Sequence, residues 1–162
     1  MKAANFIISC LWIAVGITSA ETTLLPAGGE TTWRYLDGKA IPGEEWTASG
    51  FDDSEWKKGK APLGYGKDDV ETRILFGDDP GNKPLTAYFR ATFQAPPKGE
   101  NEFTKLGLMV SYDDGVSVYL NGEEVARGNL EEGPLTPESA AIRAVRESGE
   151  LVTTIPAGSL KY

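Results

Sequence analysis

Carboxylates are the chemistry this sequence offers most plainly. It holds nine aspartates, and eight of them stand in adjacent pairs, at 52–53, 68–69, 78–79 and 113–114. Each pair falls among glycines, prolines and polar residues, where a turn is expected. Aspartate has an ordinary use there, because its carboxylate accepts hydrogen bonds from nearby backbone N–H groups. The same clustering on loops suits a hard cation, since Ca²⁺ takes about six to eight oxygen ligands, some of them backbone carbonyls. Asp78, Asp79 and Asn82 share one short loop and are the candidate metal ligands, with a structural calcium ion as the candidate cofactor. No pair follows the EF-hand spacing. Asp113 and Asp114 lead through Gly115 into a strand pattern. That pair suits a turn that starts a hairpin, a calcium ion, or hydrogen bonds from sugar hydroxyls.

Aromatic residues are the second set of candidates. Trp33, Trp46, Trp56, Tyr35, Tyr65, Tyr88 and Tyr119 lie in or beside expected strands and turns. A flat ring stacks on the apolar face of a sugar, and it also fills a β-sheet core. Trp33 and Trp56 suit the core. Trp46 stands in a loop without alternation and is the exposed candidate. Trp46, Tyr88, Arg90, Asp113 and Asp114 form the candidate ligand-binding set.

Several kinds of chemistry are excluded. The 162-residue chain has no histidine, so imidazole acid–base catalysis, His-based triads and His metal ligands are ruled out. Asp plus Glu number 24 against 16 Lys plus Arg, a net charge of −8. That balance argues against nucleic acid and anionic membranes as partners. Gly64-Tyr65-Gly66-Lys67 lacks the rest of a P-loop, and no G-x-S-x-G elbow occurs. A glycosidase needs only two carboxylates, but nothing raises one pair above the others. The expectation is a chain that is not an enzyme.

The elements that would position these residues read as β-structure. Residues 1–20 form an export address: Lys2, an apolar run from Phe6 to Ile17, then Thr18-Ser19-Ala20 before a cleavage point at Glu21. Its run is short for a membrane span. Cleavage would remove Lys2 and the single cysteine, Cys10, and place a disulfide-free domain outside the cytoplasm, secreted, periplasmic or at the cell surface. Residues 21–31 read as a polar leader and 32–162 as one domain. Strands are expected at 32–36, 63–66, 72–76, 86–93, 106–112, 116–120, 123–127 and 151–155. The alternation of Leu106, Leu108, Val110 and Tyr112 is that of a half-buried strand. Asn121-Gly122 signals a type I′ hairpin and puts Val118 opposite Val125. Lys57 to Lys60 reads as a basic turn. Thr136-Pro137-Glu138-Ser139 and the residues after it fit a capped helix and a strand equally.

In order along the chain, W-R-Y-L-D-G at 33–38, F-D-D-S-E-W at 51–56, A-P-L-G-Y-G at 61–66, F-G-D-D-P-G-N-K at 76–83, T-A-Y-F-R at 86–90 and D-D-G-V-S-V-Y-L-N-G-E-E-V at 113–125 resemble one known pattern. It is that of the galactose-binding-like β-sandwich (jelly-roll) domains of secreted bacterial proteins, which accompany glycoside hydrolases, calcineurin-like phosphoesterases and cell-surface proteins. The resemblance covers 32–127 and is weaker beyond. It implies an all-β, antiparallel two-sheet β-sandwich, often with structural calcium, that binds carbohydrate or serves architecture. The Asp113-Asp114 element is also similar to flocculin-type sugar-binding domains, where an Asp-Asp pair ligates calcium. Related domains continue past a segment like 155–162, so a missing closing strand is expected. The function expected is a non-catalytic carbohydrate-binding-like module. The alternatives are a structural or interaction domain docking a neighbouring domain, and an N-terminal accessory domain of a secreted hydrolase, glycosidase or phosphoesterase.

Overall fold

Leu106, Leu108 and Val110 organise the chain around one strand, each at most 1% exposed. Their period-two spacing turns all three toward one face, as a strand with one covered face requires. The computed structural model describes residues 7–160 apart from 9, 18, 19, 39, 67, 78, 80 and 96–104, with backbone alone for 7–22 and 157.

The strands run in order β1 (Ile7–Ile8), β2 (Cys10–Ile17), β3 (Ala20–Leu25), β4 (Thr32–Leu36), β5 (Lys57–Lys60), β6 (Leu63–Gly64), β7 (Thr72–Arg73), β8 (Tyr88–Arg90), β9 (Lys105–Tyr112), β10 (Val116–Leu120), β11 (Glu123–Gly128) and β12 (Gly149–Pro156). A single 3₁₀ turn, Ala157–Ser159, follows, and no α-helix occurs among the described residues. The protein is all-β. Its larger sheet has the order β12-β9-β2-β3, and a second has β5-β4-β8, both antiparallel throughout. The hairpin β10-β11 stands by itself, and β1-β6-β7 is a small sheet with one parallel pair.

The core gathers Leu25, Trp33, Tyr35, Leu63, Tyr65, Ile74, Leu106, Leu108, Val110, Val116, Leu120, Ile155 and Leu160. Strand β12 repeats the alternation of β9. Ile155, opposite Leu106, is buried, while Glu150, Val152 and Thr154 face solvent. Trp33 and Trp56 are buried, as their sequence setting suggested. Tyr112 ends β9 with its ring against Gly128 and Gly149, where an added Cβ would come within 3.0 and 2.7 Å of the ring. Only glycine leaves room for that packing.

Several segments depart from the sequence expectation. Lys57–Lys60 is a strand rather than a turn, paired with Thr32–Tyr35 at the sheet's edge. Its exposed lysines, Lys57, Lys58 and Lys60, are a common safeguard on an edge. The leader begins as strand β3, and its Leu25 is 4% exposed within the core. The strands expected at 72–76 and 86–93 shorten to Thr72–Arg73 and Tyr88–Arg90. Asn121 and Gly122 adopt the positive φ values of a type I′ turn, 52° and 91°. A bulge after Val118 then pairs it with Ala126 instead of Val125.

Residues 137–148 form neither a helix nor a regular strand. The capping bonds do form: the Glu138 N–H donates to Thr136 Oγ1 at 3.3 Å, and the Thr136 N–H to Ser139 Oγ at 2.8 Å. Tertiary bonds then take over. The Ile142 N–H donates to the Asn129 carbonyl at 3.0 Å, and the Val145 N–H to Asp114 Oδ1 at 2.6 Å. Those N–H groups are thereby withdrawn from helix propagation, so local propensity yields to packing.

Leu106→Ala is expected to cost about 2–5 kcal/mol, and Val152→Thr on the neighbouring strand less than about 0.5 kcal/mol, in urea unfolding of the full chain. A second expectation concerns the hairpin, where Arg127 Nη2 donates to Glu124 Oε2 at 2.6 Å and Ser117 Oγ to Glu124 Oε1 at 2.9 Å. The Arg127 hydrogen bonds hold the Glu124 carboxyl below its ordinary value. A carboxyl lowered by folding contributes stability above its unfolded-state pKa and loses it as pH falls through the folded-state value. Glu124→Gln should therefore lower stability at neutral pH and leave it nearly unchanged below the folded-state value, which flattens the acid limb of the stability–pH curve. An unchanged acid limb would show that the hairpin pair has no such role.

Candidate functional site

The loop from Gly43 to Trp56 is a run of successive turns. Its backbone bonds are Trp46 N–H to Gly43 O at 3.1 Å, Ala48 N–H to Glu45 O at 2.9 Å, Phe51 N–H to Ala48 O at 3.2 Å and Trp56 N–H to Asp53 O at 3.0 Å. Such a loop has little rigidity of its own, and two arginines supply it. Arg34 on β4 and Arg90 on β8 are direct register partners. Two like charges opposite each other in a ladder repel, and Asp53 lies within reach of both. Arg90 Nε donates to Asp53 Oδ2 at 2.9 Å, and Arg34 Nε lies 3.7 Å from Asp53 Oδ1. Both Arg90 Nη atoms and Arg34 Nη1 grip loop carbonyls. Arg90 donates to the carbonyls of Trp46 and, at 3.2 Å, Ala48. Arg34 donates to those of Ser54 at 3.1 Å and Trp56 at 3.2 Å.

The gripped loop presents Trp46 to other aromatic rings. Its ring centroid lies 5.2 Å from Tyr88 and 5.5 Å from Tyr119, both edge-on, and 6.5 Å from Trp56 in a stacked arrangement. Phe51 meets Trp56 edge-on at 5.8 Å, with the Arg90 guanidinium 5.2 Å above the Phe51 ring. Trp46 is half-buried and Tyr88 is 9% exposed. Burial, with the Glu138 charge second, pushes the Tyr88 hydroxyl pKa up.

Beside Trp46 opens a cleft of about 230 Å³. Apolar side chains floor it, among them Leu108, Val110, Ile155 and Leu160, which also belong to the core. Its lining also includes Thr47, Ser49, Thr92, Ser117, Tyr119 and Asn121. Arg90 is the one charged residue among the described residues lining it, and its nitrogens are engaged with the loop. No family model, curated protein or solved structure matches the chain.

The structure thus gathers Trp46, Tyr88 and Arg90 from the sequence-derived set. Trp46 and Arg90 line the cleft. Tyr88 stands behind Trp46, outside the lining. Asp113 and Asp114 lie elsewhere, at the turn between β9 and β10, 4% and 6% exposed and joined by a cis peptide bond. Asp114 is tied into its surroundings. Its Oδ1 accepts from the Val145 N–H, and its carbonyl accepts from Asn129 Nδ2 at 2.8 Å. Asp79 and Asn82 occupy a turn in which Asp79 Oδ1 accepts from the Gly81 N–H at 2.8 Å and Asp79 O from the Asn82 N–H at 3.0 Å. Asp78 lies outside the described residues. Among the described residues, no three Asp, Glu, His or Cys side chains gather to hold a metal ion.

Thr47, Ser49, Ser117 and Asn121 carried no signal as cleft residues, since small polar side chains are common in turns and on strand faces. Asp53 carried no such signal either, because the β4–β8 register that sets Arg34 opposite Arg90 is non-local. Asp37, 7% exposed, accepts from Lys57 Nζ and from the Leu75 N–H, both at 2.6 Å. It pins β4, β5 and the 75 region together. Asp52 is a simple turn former. The Ser54 N–H donates to its Oδ1 at 2.9 Å, and that bond chiefly holds its carboxyl pKa down.

Asp53→Asn leaves the two arginines facing each other without their shared anion. The expected cost is about 1–3 kcal/mol in urea unfolding, together with stronger acrylamide quenching of tryptophan fluorescence as the Trp46 loop loosens. Unchanged stability and quenching would show that the loop is held by other means.

Proposed function

We propose that the chain is a non-catalytic binding module of a secreted or cell-surface protein, that its strands close into a galactose-binding-like sandwich, and that the cleft beside Trp46 takes a single sugar ring. The observation that carries this reading is the composition of the cleft. An indole, several hydroxyls and one side-chain amide line it above an apolar floor, with no carboxylate among the described lining residues. A sugar ring has the matching chemistry, an apolar face for the indole and hydroxyls at its rim. Hydrolysis of a glycosidic bond uses a carboxylate pair across the bond, so this lining supports binding over cleavage. The volume is just below the roughly 300–1,000 Å³ of drug-sized pockets, which favours one ring over a long chain. Affinity should be weak, because protein–sugar hydrogen bonds largely replace hydrogen bonds to water.

Calcium is the second part of the proposal. Asp113 and Asp114 are the residues that would hold it, with backbone carbonyls and further oxygens making up the usual coordination. Two adjacent, largely buried carboxylates support this reading, although one Asp114 oxygen is already taken by the Val145 N–H. The ion's contribution would be structural, fixing the turn into β10.

Titration of the full chain with galactose, glucose, mannose and N-acetylglucosamine, followed by tryptophan fluorescence, tests the sugar reading. At least one is expected to give a saturable shift, weakened in Ser117→Ala and Thr47→Val, which leave the aromatic packing intact. Absence of any saturable shift up to roughly 100 mM, where a binding free energy of only about −1.4 kcal/mol would register, overturns it. The calcium part is tested separately by thermal unfolding with calcium and with a chelator, since a ligand of the native state raises the Tm. No difference between the two melts refutes calcium alone.

A further inference from the structure

Residues 10–17 combine two properties that conflict once the chain is processed. Their sequence is the apolar run of an export address expected to leave with residues 1–20. In the fold they are β2, an internal strand between β9 and β3. Its register on β9 places Leu11 opposite Val110, Ile13 opposite Leu108 and Val15 opposite Leu106. Residues directly opposite in an antiparallel ladder share a face. The β2 positions in register with the three β9 residues that are at most 1% exposed are thus all apolar in sequence.

The other edge of β9 is already used. Strand β12 pairs with it continuously from Gly149 opposite Tyr112 to Pro156 opposite Lys105. Strand β3 pairs with β2 and not with β9. Loss of β2 thus leaves a row of β9 backbone N–H and C=O groups without partners, next to the most deeply buried part of the core. Such an edge is a template for another strand.

We propose that β9 is a strand acceptor: removal of residues 1–20 opens a slot that is filled in trans by an antiparallel segment of another polypeptide with an apolar residue at every second position. Strand β2 is the observation that specifies this occupant, since it fits the slot in register and has that chemistry. Main-chain hydrogen bonds would supply affinity and the alternate side chains selectivity. The inference rests on the export reading of residues 1–20 and is independent of the sugar reading.

The test uses the full chain with a protease site inserted between Ser19 and Ala20, folded first and cut afterwards. The probe is a fluorescent peptide with the sequence of residues 7–17 and Cys10→Ser. The cut chain is expected to take up the peptide saturably and release its own strand, while the uncut chain does not. A peptide carrying Ile13→Pro, which lacks a ladder N–H, should bind about tenfold more weakly. Equal uptake by cut and uncut chains, equal binding of the proline peptide, or no uptake by a cut chain that stays folded would each overturn the proposal. If cutting unfolds the chain, excess peptide must restore a cooperative melt, and failure to do so also overturns it. A cut chain that dimerises in sedimentation without taking peptide assigns the edge to a second copy and refutes the proposed occupant.

Discussion

One carboxylate between two guanidinium groups holds the Trp46 loop against the β4–β8 sheet. Arg34 and Arg90 meet across the β4–β8 ladder, and without an anion their proximity would oppose the pairing that brings them together. Asp53 reverses that sign. It arrives from a loop, so the ion pairs that permit the sheet also anchor the loop. The planar guanidinium is suited to this, since its several donors grip an anion and carbonyls at once. Trp46 acquires its place among Tyr88, Tyr119 and Trp56 because the carbonyls around it are held by Arg90. Position here is inherited from electrostatics two strands away.

The cleft beside Trp46 has no floor separate from the core. Leu108, Val110, Ile155 and Leu160 serve both. A ligand that enters therefore contacts the side chains whose burial stabilises the chain, and occupancy and stability are thermodynamically linked. The same overlap constrains sequence change. A substitution that enlarges the cleft from below removes packing from β9 or β12, whereas one at Thr47 or Ser49 alters the rim alone.

Periodicity carried what was legible in the sequence. The alternation in 106–112, the Asn121-Gly122 turn and the strand at 32–36 are local patterns, and each appears where its spacing places it. Non-local pairing decided the rest. Lys57–Lys60 has no apolar face and becomes a strand because β4 offers it a free edge. Residues 137–148 have helix-capping chemistry, yet Asn129 and Asp114 claim their N–H groups. At the site, Trp46 and Arg90 were visible as residue types. Arg90's task of holding a loop was not, because its partners lie 37 to 44 positions away in sequence. The Asp-Asp pairs illustrate the same point: Asp52, Asp53, Asp79 and Asp114 each have a distinct partner set, which adjacency alone does not distinguish.

Tyr112 gives the fold an internal gauge. Its ring is held between the backbones of Gly128 at the end of β11 and Gly149 at the start of β12. A half-turn of the ring about its Cβ–Cγ axis needs momentary extra volume, and in close packing that volume comes only from the two strands moving apart. The flip rate of this one ring therefore measures how often the two strands separate. Its ring current also falls directly on the Gly128 and Gly149 α-protons, so their chemical shifts report the same opening from the other side.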